Sequence, residues 1–137
     1  QAFFSILDPE QYIKPHYGYY KGFLRYHLGV IIPNNNEDKN CRIRINADCE
    51  TFNCEDKSEI EKGESYYWKN GKGIMFNDVY LHDAANESKE IRVVLFIDVV
   101  RKFHWSIDWF NKLFLFIAYK TKYVKQIAEN AKVKTAK

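Results

Sequence analysis

Short stretches of alternating apolar and polar residues, each cut off by a turn signal, fill the first hundred positions of the chain. Residues 3–7, Phe-Phe-Ser-Ile-Leu, predict a strand that stops at the turn pair Asp8-Pro9. Ile13 to His16 predicts a second extended piece, and 17–22, with two glycines, a loop. Phe23 to Ile32 is the clearest strand: Arg25 and His27 share one face, and Leu24, Tyr26, Leu28 and Val30 share the other. Pro33 and the run Asn34-Asn35-Asn36 end it. Cys41 to Asn46 predicts a short strand with Arg42 and Arg44 on one side, followed by a long acidic surface loop over 47–65. Tyr66 to Trp68, Ile74 to Phe76 and Val79 to His82 predict further short strands, with a turn at Gly71-Lys72-Gly73. Asp83 to Glu90 predicts a polar connection, and the β-branched run Ile91 to Val100 a central strand buried on both faces.

From Trp105 to Tyr119 apolar residues become dense, with no Gly or Pro to interrupt them, which predicts a helix. A second, lysine-rich helix is expected to about Ala131. Many short strands in succession, with helix only at the end, build a sandwich or barrel rather than a βαβ sheet. The expected fold class is therefore mainly β.

Composition adds that this pattern can close on a real core. Of 137 residues, 46% are apolar, including ten Phe, ten Tyr and three Trp, which suits one compact domain. No apolar run reaches the roughly 18 residues needed to span a bilayer, and the N-terminus lacks a secretory layout. The chain opens directly on Gln1-Ala2-Phe3-Phe4 and is read as clipped from a longer one, so missing targeting segments say little. A cytoplasmic or membrane-associated location is the expectation. Charge is uneven: residues 112–137 carry seven lysines against Glu129 alone, on a slightly acidic body. Such a tail suits an anionic surface partner or serves only solubility, and no nucleic-acid partner is expected. Cys41, Cys49 and Cys54 fit no C-x-x-C pattern; loop or buried thiols are expected, with a single disulfide left open.

No H-E-x-x-H, P-loop or G-x-S-x-G pattern occurs. What chemistry there is lies in His16, His27, His82 and His104 and in two arginines, Arg25 and Arg92, that read as buried. A cation inside a β-rich core is costly unless it meets an anion. Either an Asp or Glu partner or a small dicarboxylate held by two parallel hydrogen bonds would satisfy Arg92. His16 and His82 both border strands and could converge in a rolled sheet, as metal ligands or as plain polar residues. His104, just before the tail helix, has no assigned role.

Two longer segments carry a resemblance. Ser5 to Pro33 contains Ser-Ile-Leu-Asp-Pro-Glu-Gln-Tyr-Ile-Lys-Pro-His-Tyr-Gly and Leu-Arg-Tyr-His-Leu-Gly-Val-Ile-Ile-Pro. Trp68 to Val99 contains Trp-Lys-Asn-Gly-Lys-Gly-Ile-Met-Phe-Asn-Asp-Val-Tyr-Leu-His, then Arg92-Val-Val-Leu-Phe-Ile-Asp-Val. Over residues 3–103 the chain resembles the aspartyl/asparaginyl β-hydroxylase family. The resemblance implies a double-stranded β-helix, or jelly roll, over 1–103; the basic helical tail, 104–137, read from the residues, is expected to pack on or beside it. It implies an iron(II)- and 2-oxoglutarate-dependent dioxygenase that uses molecular oxygen to hydroxylate an unactivated C–H. By position, it makes His16 and His82 the metal ligands and pairs Arg92, helped by Ser5, with the distal carboxylate of 2-oxoglutarate. It brings Arg25 and His27 to the other end of that cosubstrate, and Trp68 and Asp78 fall at positions read as structural.

Gly18 is the informative departure from most iron oxygenases, whose first motif is His-x-Asp. The family it resembles also has Gly there and works with two histidines, so the gap agrees with the match. It leaves an iron position for water, and in principle for halide. Two substrate branches fit the resemblance: a peptidyl Asp or Asn β-carbon, or an acyl chain of a lipid A-like molecule. Tyr80 and Asn86 around His82, and the aromatic start of the tail helix, look closer to the lipid branch. That tail would lie on an anionic bilayer as a peripheral contact, or pack outside the barrel. Two other readings stay open: a catalytically silent jelly-roll binding module, and an iron-free cupin-like binder of sugar or peptide.

Overall fold

The alternation along the first hundred residues becomes eight antiparallel strands. They are β1 (Ala2–Leu7), β2 (Gln11–His16), β3 (Phe23–Ile31), β4 (Cys41–Glu50), β5 (Glu64–Tyr67), β6 (Gly73–Phe76), β7 (Tyr80–Asn86) and β8 (Arg92–Val100), followed by α1 (Trp105–Lys120). This is a computed structural model that describes residues 2–18, 20–51 and 53–120. Residues 1–100 and 101–137 form two compact units, and α1 belongs to the second.

Pairing in the first unit is nested: β1 with β8, β2 with β7, β3 with β6 and β4 with β5. Rolling that long hairpin of four strand pairs gives two facing sheets, ordered β1-β8-β3-β6 and β2-β7-β4-β5. This is the jelly roll. Its turns follow from the residues that punctuate the strands. Asn34, Asn35 and Asn36 all take positive φ (45°, 48° and 58°) in the turn after β3, a region that Asn tolerates better than most residues. The dry core between the sheets is Ile32, Cys41, Ile43, Trp68, Phe76, Ala84 and Val94, with Ile13, Ile45, Ile74 and Phe96 packed against it.

The face of β3 that points inward is the one bearing Arg25 and His27. His27 is buried and stacks on Phe96 with ring centroids 3.7 Å apart. Leu24, Tyr26 and Leu28 on the other face are only half-buried. A sandwich that turns its polar row inward, at the expense of an apolar one, is built around something other than its own core.

Several sequence expectations change. β4 runs on to Glu50, and the expected loop 47–65 contains a 3-10 segment, Lys57–Lys62, and the first half of β5. Burial of Ile60 with Cys49 and Leu81 holds that segment down as a small second cluster. Asp83 to Asn86 is no polar connection but the buried second half of β7. Asp83 is tolerated there because Tyr12 (2.6 Å), Arg42 (3.2 Å) and Arg44 (2.8 Å) all donate to its carboxylate. Asn86 is tolerated because its amide nitrogen donates to the carbonyls of Leu7, Asp8 and Glu90. β8 is buried on both faces only at its start, and Val99 and Val100 are exposed. Cys49 and Cys54 form a disulfide, and Cys41 is free and buried. The expected second helix lies outside the described residues.

Candidate functional site

His16 and His82 meet because of a register fault. Ile13 lies opposite Ala84, and His16 lies opposite His82, so β2 takes three steps where β7 takes two. In a regular strand, residues three apart point to opposite faces. The extra residue in β2 forms a bulge at Lys14-Pro15 that returns His16 to the same face as Ile13. Pro15 fits there: β2 is an edge strand, where a missing N–H costs least. The two imidazoles then lie with ring centroids 4.2 Å apart, tilted by 54°. His82 is buried and His16 is exposed, so the pair sits at the mouth of the sandwich.

Both rings are held in one tautomer. Nδ1 of His16 lies 2.8 Å from the carbonyl of Lys14, and Nδ1 of His82 lies 2.7 Å from the carbonyl of Tyr80. A carbonyl only accepts, so Nδ1 carries the proton and Nε2 keeps its lone pair. Burial, aided by the neighbouring His16, lowers the pKa of His82 to about 4. The ring is therefore neutral at pH 7, and its 3.5 Å approach to Asp78 through Nε2 is no ion pair.

Asp78 organises the other side of the mouth. Burial raises its pKa, opposed by Arg25 and His16. Arg25 bridges it (3.0 Å) to Asp98 (3.3 Å). Asp78 also occupies the space beside Gly18: a Cβ at that position would lie 2.0 Å from its Oδ2 and 2.9 Å from its backbone oxygen. The Gly18 N–H donates to that same backbone oxygen at 2.7 Å, and Thr51 Oγ1 donates to the Gly18 carbonyl at 2.8 Å. A side chain at 18, including the carboxylate of a His-x-Asp motif, has no room. Sequence reasoning took Asp78 as structural; its four-residue spacing before His82 was the available signal that it shares the site.

Deeper in, two polar side chains are buried without partners. His27 has both ring nitrogens unbonded, packed on Phe96 and edge-on to Phe76 at 4.9 Å. Burial, reinforced by Arg25, lowers its pKa to about 2, so it too is neutral. Arg92 is 1% exposed, and its Nε, Nη1 and Nη2 all lack hydrogen-bond partners. Its guanidinium lies 4.7 Å over the ring of Trp68, and burial lowers its pKa to about 10. The carboxylate partner considered for Arg92 from sequence belongs instead to Arg25. Ser5, half-buried, pairs with Val94 one inward position along from the Leu7–Arg92 pair. Phe76, edge-on to both His27 and His82 (5.3 Å), links the deep end to the mouth.

These residues fit an iron(II) ion and a keto-diacid. Two imidazoles converge with Nδ1 of each tied to a carbonyl, His82 being neutral, and a buried guanidinium without a hydrogen-bond partner suits a carboxylate. Among the described residues, no group of three or more His, Cys, Asp or Glu side chains is arranged to hold a metal.

Residues 1–102 match the sequence profile of the aspartyl/asparaginyl beta-hydroxylase family. A relative from Rhizobium tropici, named an ornithine lipid ester-linked acyl 2-hydroxylase, is 32% identical over 96% of this chain and 40% of its own length. The aspartyl/asparaginyl beta-hydroxylases of Mus musculus and Homo sapiens are each 27% identical over 72% of this chain, and 11% and 10% of their own lengths. This chain thus spans less than half of each of these relatives. A cupin domain of a transcriptional regulator from Enterobacter cloacae, 13% identical, covers 74% of this chain and 81% of its own, at a TM-score of 0.49. With the profile covering the whole strand-built unit, the chain belongs to the aspartyl/asparaginyl β-hydroxylase family.

Proposed function

We propose that this protein is an iron(II)- and 2-oxoglutarate-dependent hydroxylase acting on an acyl chain of a lipid. The observation that carries the cosubstrate assignment is Arg92: a cation with three unbonded nitrogens at 1% exposure, inside the same roll that pairs two imidazoles. An unpaired buried charge is strongly unfavourable unless a ligand completes it. Iron(II) with 2-oxoglutarate would supply oxygen activation, coupling oxidation of the keto acid to succinate and carbon dioxide with hydroxylation of a substrate C–H. His16 and His82 would hold the metal through Nε2, their Nδ1 protons fixed on the Lys14 and Tyr80 carbonyls. Arg92 would take the distal carboxylate and so fix which end of the keto acid points at the mouth. Phe76 and Phe96 pack against His27, and Trp68 lies under the Arg92 guanidinium. The Arg25–Asp78–Asp98 cluster braces the mouth beside His82.

The acyl reading is favoured by the relative that aligns along almost the whole chain, α1 included, whereas the mouse and human relatives align over a shorter part. The decisive assay is oxygen-dependent formation of succinate from 2-oxoglutarate with added iron(II). It is run with acyl lipids and Asp/Asn peptides in parallel and read as a 16 Da gain on one of them. Peptide gain alone transfers the assignment to Asp/Asn β-carbons. Failure to bind either iron or 2-oxoglutarate makes the domain a silent binding module.

A further inference from the structure

Helix α1 exposes the side that a soluble helix normally hides. Trp105, Ile107, Trp109, Phe110, Leu113 and Ile117 are all solvent-exposed, with Trp105 at 78% and Phe110 at 64%. At about 100° per residue, all but Ile107 fall within roughly 140° of the circumference. The least exposed stripe lies opposite and mixes polar with apolar: Asp108, Asn111, Leu115 and Ala118. Asp108 is ion-paired with Lys112 at 2.6 Å, and Asn111 donates to the Arg101 carbonyl. A contiguous exposed arc of this kind marks an interaction surface.

We infer that this arc docks on an anionic bilayer surface, with α1 lying in the interface. Two observations select that occupant. The chain from 112 onward carries seven lysines against one glutamate, which complements anionic headgroups. Two tryptophans stand one turn apart on the arc, and Trp suits a boundary that is apolar on one side and wet on the other. Among the described residues no helix is long and apolar enough to cross a membrane. The inference goes beyond the hydroxylase reading and stands without it, because docking needs neither iron nor 2-oxoglutarate.

The test is co-sedimentation of the full chain with phosphatidylcholine vesicles and with mixed phosphatidylcholine–phosphatidylglycerol vesicles, alongside tryptophan emission. Expected are binding to the mixed vesicles with a blue shift, little binding to the neutral ones, and release by salt. The double variant Phe110→Ser/Leu113→Ser should bind about tenfold or more weakly while keeping the strand-rich circular dichroism of the core. If that variant misfolds, Lys122→Gln/Lys125→Gln, which leaves the arc intact, should weaken binding to mixed vesicles alone. Equal binding to both vesicle types, no binding to either, or a dimer abolished by the arc variant would each overturn the inference, the last by giving the arc to a second copy of this chain.

Discussion

His16 and His82 face one another across the β2–β7 pair with ring centroids 4.2 Å apart, and each presents an Nε2 lone pair because its Nδ1 is tied to a carbonyl two residues earlier. Losing either ring should remove half of the proposed metal donors. His16→Ala is the cleaner probe, since His16 is exposed and the variant should fold. Iron-dependent succinate formation should fall by a factor of about 100 or more, with unchanged circular dichroism. Retention of near wild-type turnover would remove His16 from the site.

Arg92 separates stability from function. Its side chain is a buried, unpaired cation, so Arg92→Met should raise the unfolding free energy of the free protein by about 1–4 kcal/mol. The same variant should lose 2-oxoglutarate binding, measured by calorimetry. A variant that is destabilised and still binds the keto acid would contradict both halves of the argument.

Gly18 and Asp78 compete for one volume. Gly18→Ala places a Cβ against Asp78 and should cost about 1–3 kcal/mol by thermal or urea unfolding. Combining it with Asp78→Gly should recover much of that loss, giving a coupling energy well above the additive expectation. Gly18→Asp should fail to create a third metal donor, read as no gain in iron affinity over the wild-type chain.

Acid should loosen the free protein through its buried histidines. The folded pKa of His82 is about 4 and that of His27 about 2, both below the ordinary 6.5. The unfolded chain therefore takes up these protons first as pH falls. Stability from this source is complete above about pH 6.5 and is lost below it. Between about pH 6.5 and 4 each excluded proton costs about 1.4 kcal/mol per pH unit. Urea midpoints across that window should fall steeply, and His27→Phe should flatten the fall. A flat profile for the wild-type chain would show that these rings are not held neutral.

The strands were legible where alternation and turn residues agree, as in β3 with its asparagine stop, and the nested jelly-roll pairing was reached through the resemblance of Ser5 to Pro33 and Trp68 to Val99. The second half of β7 was not legible. Asp83 looks like a loop residue until Tyr12, Arg42 and Arg44 arrive from distant strands to satisfy it, and Asn86 until its amide meets the carbonyls of Leu7, Asp8 and Glu90. Asp78 was missed as a member of the site for the same reason: its contacts with Gly18 and Arg25 join residues some sixty and fifty positions away. That Arg25 and His27 share a face was plain from their spacing, but that this polar face is the inner one depends on the whole roll.

The single inserted step at Lys14-Pro15 has a consequence for which changes of spacing such a domain could accept in descent. Deleting one residue between Ile13 and His16 would remove the bulge and leave the imidazole two regular steps from Ile13, still on the inner face and still opposite His82. Ironing the bulge flat with all three steps kept would instead turn that ring out to the solvent side. A relative one residue shorter at this point should therefore keep both histidines face to face, and the spacing there is a poor guide to which lineages lost their chemistry.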